Sequence, residues 1–121
     1  MDEKVLGLVG GLGPLATSHF MELVARMTDA AETGDTLQIL TYNFPAIPDR
    51  TGYILGSNLK SPLPGLISVG HALSRQEVAC IAIPCITAHY FYDSLSCAIE
   101  APIVNGVEQT ATLLKQRGIR R

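Results

Sequence analysis

The stretch KVLGLVGGLGPLAT, residues 4–17, decides the fold. Its first seven residues form an apolar run bounded by glycine, which is typical of a strand buried on both faces of a sheet. Pro14 follows after a glycine-rich turn and suits the first turn of a helix. Apolar residues then recur at helical spacing from Phe20 through about Ala31. The chain therefore opens with a predicted strand, a tight turn and a helix.

The same alternation continues along the chain. Further strands are predicted at 36–43, 78–83 and 102–105, and further helices at 63–75, 87–99 and 106–118. Residues 44–52, FPAIPDRTG, are predicted to be a polar loop because two prolines interrupt regular structure there. This order predicts an α/β fold: a flavodoxin-like three-layer sandwich with a parallel four-stranded sheet and helices on both faces. At 121 residues, the chain is expected to form one domain.

Composition excludes several classes of function. The net charge is −2 and no basic cluster precedes the terminal RGIRR, so neither nucleic acid nor an acidic membrane surface is an expected partner. No apolar run approaches the ~20 residues of a membrane span, and no signal peptide is recognisable. The three cysteines form no CxxC pair, which argues against a disulfide framework and against a metal site. We expect a cytoplasmic protein.

Three polar segments follow directly after predicted strands. They are GGLGP after the first strand, YNFPAIPDR at the end of the second and PCITAH at the end of the third. Ligands of parallel α/β sheets bind beyond the carboxyl ends of the strands, so we expect these three segments to line one edge.

The segment GLGPLA, residues 11–16, satisfies the pattern G-x-G-x-x-A of dinucleotide-binding proteins. That pattern also requires an acidic residue at the end of the second strand to bind a ribose. Thr41, Tyr42 and Asn43 stand there, and all are neutral. A nucleotide-binding module is therefore an alternative that the second strand disfavours, and a tight turn before a helix explains the glycines equally well.

Two side chains at this edge have useful chemistry. The guanidinium of Arg50 suits a carboxylate in bidentate contact, although a solvated loop arginine is the alternative. Cys85 follows a strand and opens a helix, where free N–H groups stabilise a thiolate, and Thr87 can donate to an anion or cap the helix.

Cys80 and Cys97 are expected to be small buried hydrophobic residues. His89 is interpreted as a structural or capping histidine, with a catalytic partner of Cys85 as the alternative.

Taken together, three segments resemble the cofactor-independent aspartate/glutamate racemase family. They are GLVGGLGPLAT at 7–17, YNFPAIPDRTGYILG at 42–56 and IPCITAHYFYD at 83–93, which look like the signatures of that family in its order and approximate spacing. The similarity runs from the first strand to the last helix.

The resemblance implies a reaction without pyridoxal phosphate or another cofactor. Family members carry two pseudosymmetric α/β domains with the substrate between them, and one cysteine from each domain moves a proton at Cα. Cys85 takes the place of the first acid/base. Arg50 and Thr87 take places that contact the substrate carboxylate, and Gly11 and Asn43 take places that line the pocket.

Two features depart from the family. Ile86 stands in a substrate-binding place where the family has asparagine, and isoleucine cannot make a hydrogen bond there. The chain also stops at KQRGIRR, where the family would enter its second domain, so we expect the second cysteine to be missing. Cys80 lies roughly 16 Å back along a strand and Cys97 roughly 18 Å on along a helix, too far to replace it.

The sequence thus predicts the N-terminal half of an amino-acid racemase that acts on a small molecule, most simply an acidic amino acid. The C-terminal half is expected to be absent and this half alone to be inactive. A non-catalytic domain that binds a small anion or amino acid is the alternative. An apolar face left uncovered by the missing half predicts a homodimer.

Overall fold

A computed structural model describes residues 4–29 and 37–120. Three strands and five α-helices, with one 3-10 helix, are present in those two ranges. The strands are β1 (Val5–Gly10), β2 (Gln38–Asn43) and β3 (Cys80–Ala82). The helices are α1 (Pro14–Asp29), α2 (Arg50–Ile54), α3 (Leu63–Arg75), the 3-10 helix (Thr87–Phe91), α4 (Tyr92–Ala98) and α5 (Gly106–Gln116). The last two residues predicted for the first helix, 30 and 31, and the first predicted for the second strand, 36, lie outside the described ranges.

The sheet is parallel, with β1 between its two neighbours in the order β2-β1-β3. Gly10 at the end of β1 is in register with Asn43 at the end of β2, and Leu8 is in register with Ala82 of β3. The predicted α/β fold with a parallel sheet is therefore confirmed. In this order, the connection from β1 to β2 moves toward one edge of the sheet, and the connection from β2 to β3 moves back toward the other edge. Right-handed crossovers, the rule for parallel strands, then place α1 and α3 on opposite faces.

The predicted fourth strand at 102–105 is wrong, and the described sheet has three strands instead of four. Ile103 forms only an isolated parallel bridge to Ile81. The Ile81 N–H donates to the Pro102 carbonyl at 2.8 Å, and the Ile81 carbonyl accepts from the Val104 N–H at 2.8 Å. Pro102 has no N–H to extend this ladder, and Asn105 already caps α5 by accepting from the Glu108 N–H. The pairing is thus confined between a proline and a helix cap.

Two other predicted elements differ from the structure. The loop predicted at 44–52 ends inside α2, whose first turn is capped by the Asp49 carboxylate accepting from the Gly52 N–H at 3.1 Å. The helix predicted at 87–99 is divided at Phe91, where the backbone leaves helical dihedrals (φ −97°, ψ 11°) and a 3-10 helix gives way to α4. The helix at 63–75 and the start of α1 at Pro14 are as predicted. Gly118, at φ 72°, ends the last helix.

The core lies between α3, β1, β3 and the segment from the 3-10 helix to Ile99. Its fully buried side chains include Leu66, Leu73, Ile81 and Leu95. α3 approaches this segment closely at Gly70, where an added Cβ would lie 2.7 Å from Cγ1 of Ile99. Only a residue without a side chain allows that approach.

Burial is uneven across the molecule. Thr17 is the one α1 side chain in the buried class among those the structure describes, and α5 has no buried residue. Exposed apolar side chains on α5 include Val107, Leu113 and Leu114. Exposed apolar side chains of β2 include Leu40 and Tyr42. Exposed apolar side chains thus occur on both α5 and β2, and a single apolar face remains a prediction.

We expect Gly70→Ala to lower the free energy of unfolding by about 1–3 kcal/mol because its methyl group would overlap Ile99. Helix propensity acts in the opposite direction and favours alanine by about 1 kcal/mol, so the sign of the change is informative. Urea unfolding of Gly70→Ala, Ile99→Val and the double variant measures the coupling. Ile99→Val should cost less in the Gly70→Ala background than alone. Additive effects, or a more stable Gly70→Ala variant, would contradict this packing.

Candidate active site

The loops after β1 and β2 are held together at the carboxyl edge of the sheet. The Phe44 N–H donates to the Gly10 carbonyl at 3.0 Å. Gly11 has φ +97°, and a Cβ on it would lie 2.6 Å from the carbonyl carbon of Phe44. Glycine is thus required both by its dihedral and by the backbone beside it. Gly11 and Asn43, both predicted to line the site, lie at the ends of paired strands.

Thr17 fixes the shape of the first loop. Its hydroxyl accepts from the Gly11 N–H at 3.0 Å and donates to the Gly13 carbonyl at 3.1 Å. The side chain is only 4% exposed, so these two bonds satisfy it within the protein. Thr17 was not among the predicted site residues, although a hydroxyl one turn into the helix after a glycine-rich loop indicates a side chain that can bond to that loop.

Cys85 lies at the same edge, three residues beyond the end of β3. Its Sγ is 3.2 Å from the Thr87 hydroxyl, and its side chain is partly buried against the core. The N-terminus of a long helix was predicted to stabilise a thiolate at Cys85, but Thr87 opens a 3-10 helix of only five residues. The Thr87 hydroxyl, 3.2 Å from Sγ, is instead a group that can donate a hydrogen bond to the sulfur.

His89 is bound through both ring nitrogens. Nδ1 lies 2.8 Å from the Cys85 carbonyl, and Nε2 accepts from the Gly106 N–H at 3.0 Å. The interpretation of His89 as a structural or capping residue agrees with these contacts. Its partner Gly106 could not be identified from the sequence, because the two residues are 17 positions apart.

Arg50 opens α2 and has incomplete hydrogen bonding. Its Nη1 is 3.4 Å from the Ile47 carbonyl and 3.5 Å from the Pro48 carbonyl, which are long contacts. Its Nε is buried and has no hydrogen-bond partner among the described residues. α2 packs against the 3-10 helix, with the rings of Tyr53 and Phe91 5.8 Å apart. The guanidinium thus belongs to an element adjacent to the one that follows Cys85.

Ile86, predicted to stand in a substrate-binding place, lies at the surface directly after Cys85. It is 67% exposed and lines a groove of about 430 Å³ between the 3-10 helix and α5. Tyr90 and Val107 contribute apolar surface to this groove, and Asp93 and Glu108 contribute carboxylates.

The other two cysteines differ in exposure. Cys80 is half-buried in β3, whereas Cys97 is exposed on α4, so the prediction of a buried Cys97 is wrong. The predicted helix at 87–99 is interrupted at Phe91, and the phase of α4 turns Cys97 away from the core while Leu95 is buried. Within residues 4–29 and 37–120, no group of three or more potential ligands could hold a metal ion, and no helix there could span a membrane.

Comparison with known proteins gives consistent matches. A sequence model of the Asp/Glu/Hydantoin racemase family matches residues 9–121. The broad specificity amino-acid racemase RacX of Bacillus subtilis (strain 168) is 27% identical over 110 residues, which cover 88% of this chain and 47% of that protein.

Solved structures match the fold. The Picrophilus torridus aspartate racemase superposes with a TM-score of 0.86 at 31% identity, over 95% of this chain and 48% of that one. An aspartate racemase homologue from Pyrococcus horikoshii OT3 superposes with a TM-score of 0.79 at 20% identity, over 96% of this chain and 50% of that one, and supports the fold alone. The chain spans about half the length of each of these relatives.

We expect Thr87→Val to slow the alkylation of Cys85 by iodoacetamide at pH 7 about 3- to 10-fold, because it removes the hydroxyl that lies 3.2 Å from Sγ and can donate to it. Mass spectrometry of the labelled peptides measures each thiol separately. Exposed Cys97 is an internal control and should react at an unchanged rate, and Thr87→Ser should restore Cys85. Equal slowing of both thiols, or none at Cys85, would contradict a role for Thr87.

Proposed function

Because the chain belongs to the Asp/Glu/Hydantoin racemase family, we propose that it supplies one half of a cofactor-independent amino-acid racemase site, with Cys85 as its acid/base. The observation that carries this proposal is the position of the Cys85 thiol. It follows β3 at the ligand-binding edge, 3.2 Å from a hydroxyl that can stabilise its ionised form.

Racemisation requires a proton acceptor on one face of Cα and a proton donor on the other. The Cys85 thiolate takes the proton from Cα, and the electron pair of the broken C–H bond moves into the substrate carboxylate. Return of a proton to the opposite face inverts the configuration, while its return from Cys85 retains it. Cys80 lies back along β3 and Cys97 on the exposed side of α4, so the proposal assigns the second acid to residues outside this stretch.

Arg50 is the proposed ligand of the substrate carboxylate. Its buried Nε has no partner in the described protein, and its two contacts through Nη1 are long, so the guanidinium retains donors for an anion. A planar fork of donors fits a carboxylate in bidentate contact and withdraws charge as the Cα proton leaves.

The remaining predicted residues shape the site. Gly11 has no Cβ and its N–H is already bound by Thr17, so its role in this proposal is to let the loop after β1 pack against the backbone of Phe44. The Asn43 amide is exposed at the end of β2 and can accept from or donate to a polar substrate group. Thr87 is shared between the thiol and the substrate carboxylate in this proposal.

Ile86 favours a second candidate function. An exposed isoleucine makes no hydrogen bond to a substrate, and one lost contact in a buried site costs on the order of 1–3 kcal/mol. Cys85 is also the one cysteine of the three that lies at the proposed site. These two features fit a domain that binds a small anion or amino acid through Arg50 without catalysis.

Incubation with L-aspartate in D₂O distinguishes these functions. We expect no D-aspartate from this chain alone, because losing one of two acid/base groups lowers the rate about 10²- to 10⁴-fold. We do expect slow deuterium incorporation at Cα with retained configuration, measured by NMR and chiral chromatography. Cys85→Ala should abolish the incorporation, and Cys97→Ala is the matched control that should not.

Other outcomes have distinct meanings. D-aspartate that forms and depends on Cys85 would contradict the half-site and place a second acid within this stretch or its oligomer. Absence of deuterium together with binding that Arg50→Ala abolishes would favour the binding domain over the racemase.

We further propose that the chain forms a symmetric homodimer through α5. Val107, Ala111 and Leu114 recur at the spacing of one helix face, and all three are exposed. An apolar helix face without a partner favours association with a second copy.

Sedimentation should therefore show a dimer that Leu114→Glu converts to a monomer, because burying a carboxylate in an apolar interface is unfavourable. Gln109→Glu introduces the same charge on the opposite face of α5 and should leave the dimer intact. A monomer at high concentration, or equal dissociation by both variants, would refute an interface through this face.

A further inference from the structure

We propose that His89 is a positioning residue: its neutral form fixes the turn that carries Cys85 relative to the first turn of α5. The consequence for proton transfer rests on the proposed function. The two hydrogen bonds that carry the inference do not, and both can be tested without measuring racemisation.

The partners of His89 define its protonation state. The Cys85 carbonyl can only accept a hydrogen bond, so the ring nitrogen 2.8 Å away, Nδ1, carries a proton. The Gly106 N–H can only donate, so Nε2 must keep its lone pair to accept at 3.0 Å. Both contacts are satisfied together only by the neutral imidazole that is protonated at Nδ1.

The contact with Gly106 matters because α5 has little other anchorage. No residue of α5 is buried, and its polar and apolar side chains are all at the surface. The His89 ring packs closely against the start of the helix, since a Cβ on Gly106 would lie 2.9 Å from Nε2. The direction in which α5 leaves the body of the protein therefore depends on this ring.

The contact with the Cys85 carbonyl acts on the proposed catalytic residue. The turn is held from its other side by the Cys85 N–H, which donates to the Ile83 carbonyl at 2.7 Å. With both peptide groups bound, the backbone of Cys85 is fixed and its thiol is directed toward Thr87. Removal of the His89 bond frees the carbonyl side of this turn.

Protonation of His89 would place a second N–H against the N–H of Gly106 and break that bond. Other titratable or charged groups face this region from the neighbouring elements. They are Tyr90 on the 3-10 helix, Tyr92 and Asp93 on α4, Glu108 on α5, Arg50 and Tyr53 on α2, and the Cys85 thiol. Histidine changes charge between about pH 5 and 8, a range in which the carboxylates and the guanidinium ordinarily keep theirs.

Two substitutions separate the two bonds. His89→Asn retains a donor near the position of Nδ1 and loses the acceptor for Gly106. His89→Gln reaches the position of Nε2 with an amide oxygen that does not titrate, and loses the donor to Cys85. The measurements are hydrogen exchange of the 106–116 peptide, corrected for the intrinsic effect of pH, and the rate of Cys85 alkylation. His19→Gln, at an exposed position on α1, is the matched control.

In the unmodified chain, we expect exchange in 106–116 to be about 3- to 10-fold faster at pH 5.5 than at pH 7.5, as for the loss of one hydrogen bond. His89→Asn should exchange fast at both pH values with Cys85 alkylation unchanged. His89→Gln should exchange slowly at both, with Cys85 alkylated about 3- to 10-fold faster. His19→Gln should match the unmodified chain.

An unmodified chain without this pH step would overturn the proposal, and this result needs no variant to fold. Retention of the step in His89→Gln would also overturn it, because Glu108 or another group would then be the one that titrates. Absence of deuterium exchange at Cα in the unmodified chain, with the pH step intact, would refute the proposed acid/base role of Cys85 and leave the role of His89 standing.

Discussion

The site depends on a single arrangement: β1 is bound on both sides by parallel strands, so the loops after all three strands meet at one edge. The apolar residues of β1 secure it in the core, where Leu8 and Val9 are almost completely buried. The strand order reverses at β1, and ligands of parallel α/β sheets generally bind outside the carboxyl ends of the strands at such a reversal. Gly11 and the turn of Cys85 extend from two of the strands at this reversal. The chemistry of the site is thus a consequence of which strand is central.

Elements with a strong local signal could be predicted from the sequence, and elements decided by single residues could not. The apolar run of β1 and the spacing of α3 specify their structures without help from the rest of the chain. The predicted fourth strand fails because Pro102 lacks a donor and Asn105 is used as a helix cap. α2 was not predicted because two prolines precede it and indicate a loop, although Asp49 is a favourable N-cap for a helix that starts at the next residue.

The same distinction applies to the site. Cys85, Thr87 and Arg50 could be proposed as site residues because each lies in a segment that follows a strand, and strand ends determine position in a parallel sheet. The exposure of Cys97 could not be foreseen, since it depends on the break at Phe91 and the resulting phase of α4. A contact between distant segments, such as that of His89 with Gly106, arises only when the fold brings those segments together.

α5 is the most exposed part of the uneven structure described above, and its first turn is bonded to His89. A helix with no buried residue contributes little to the stability of the α/β body, so its position is free to respond to whatever packs against Val107 and Leu114. The first turn of that helix is bonded to His89, and the same ring is bonded to the carbonyl of Cys85. A surface that covers α5 therefore acts on the backbone of the thiol through two hydrogen bonds. The proposed dimer and the proposed site would therefore be coupled by one imidazole.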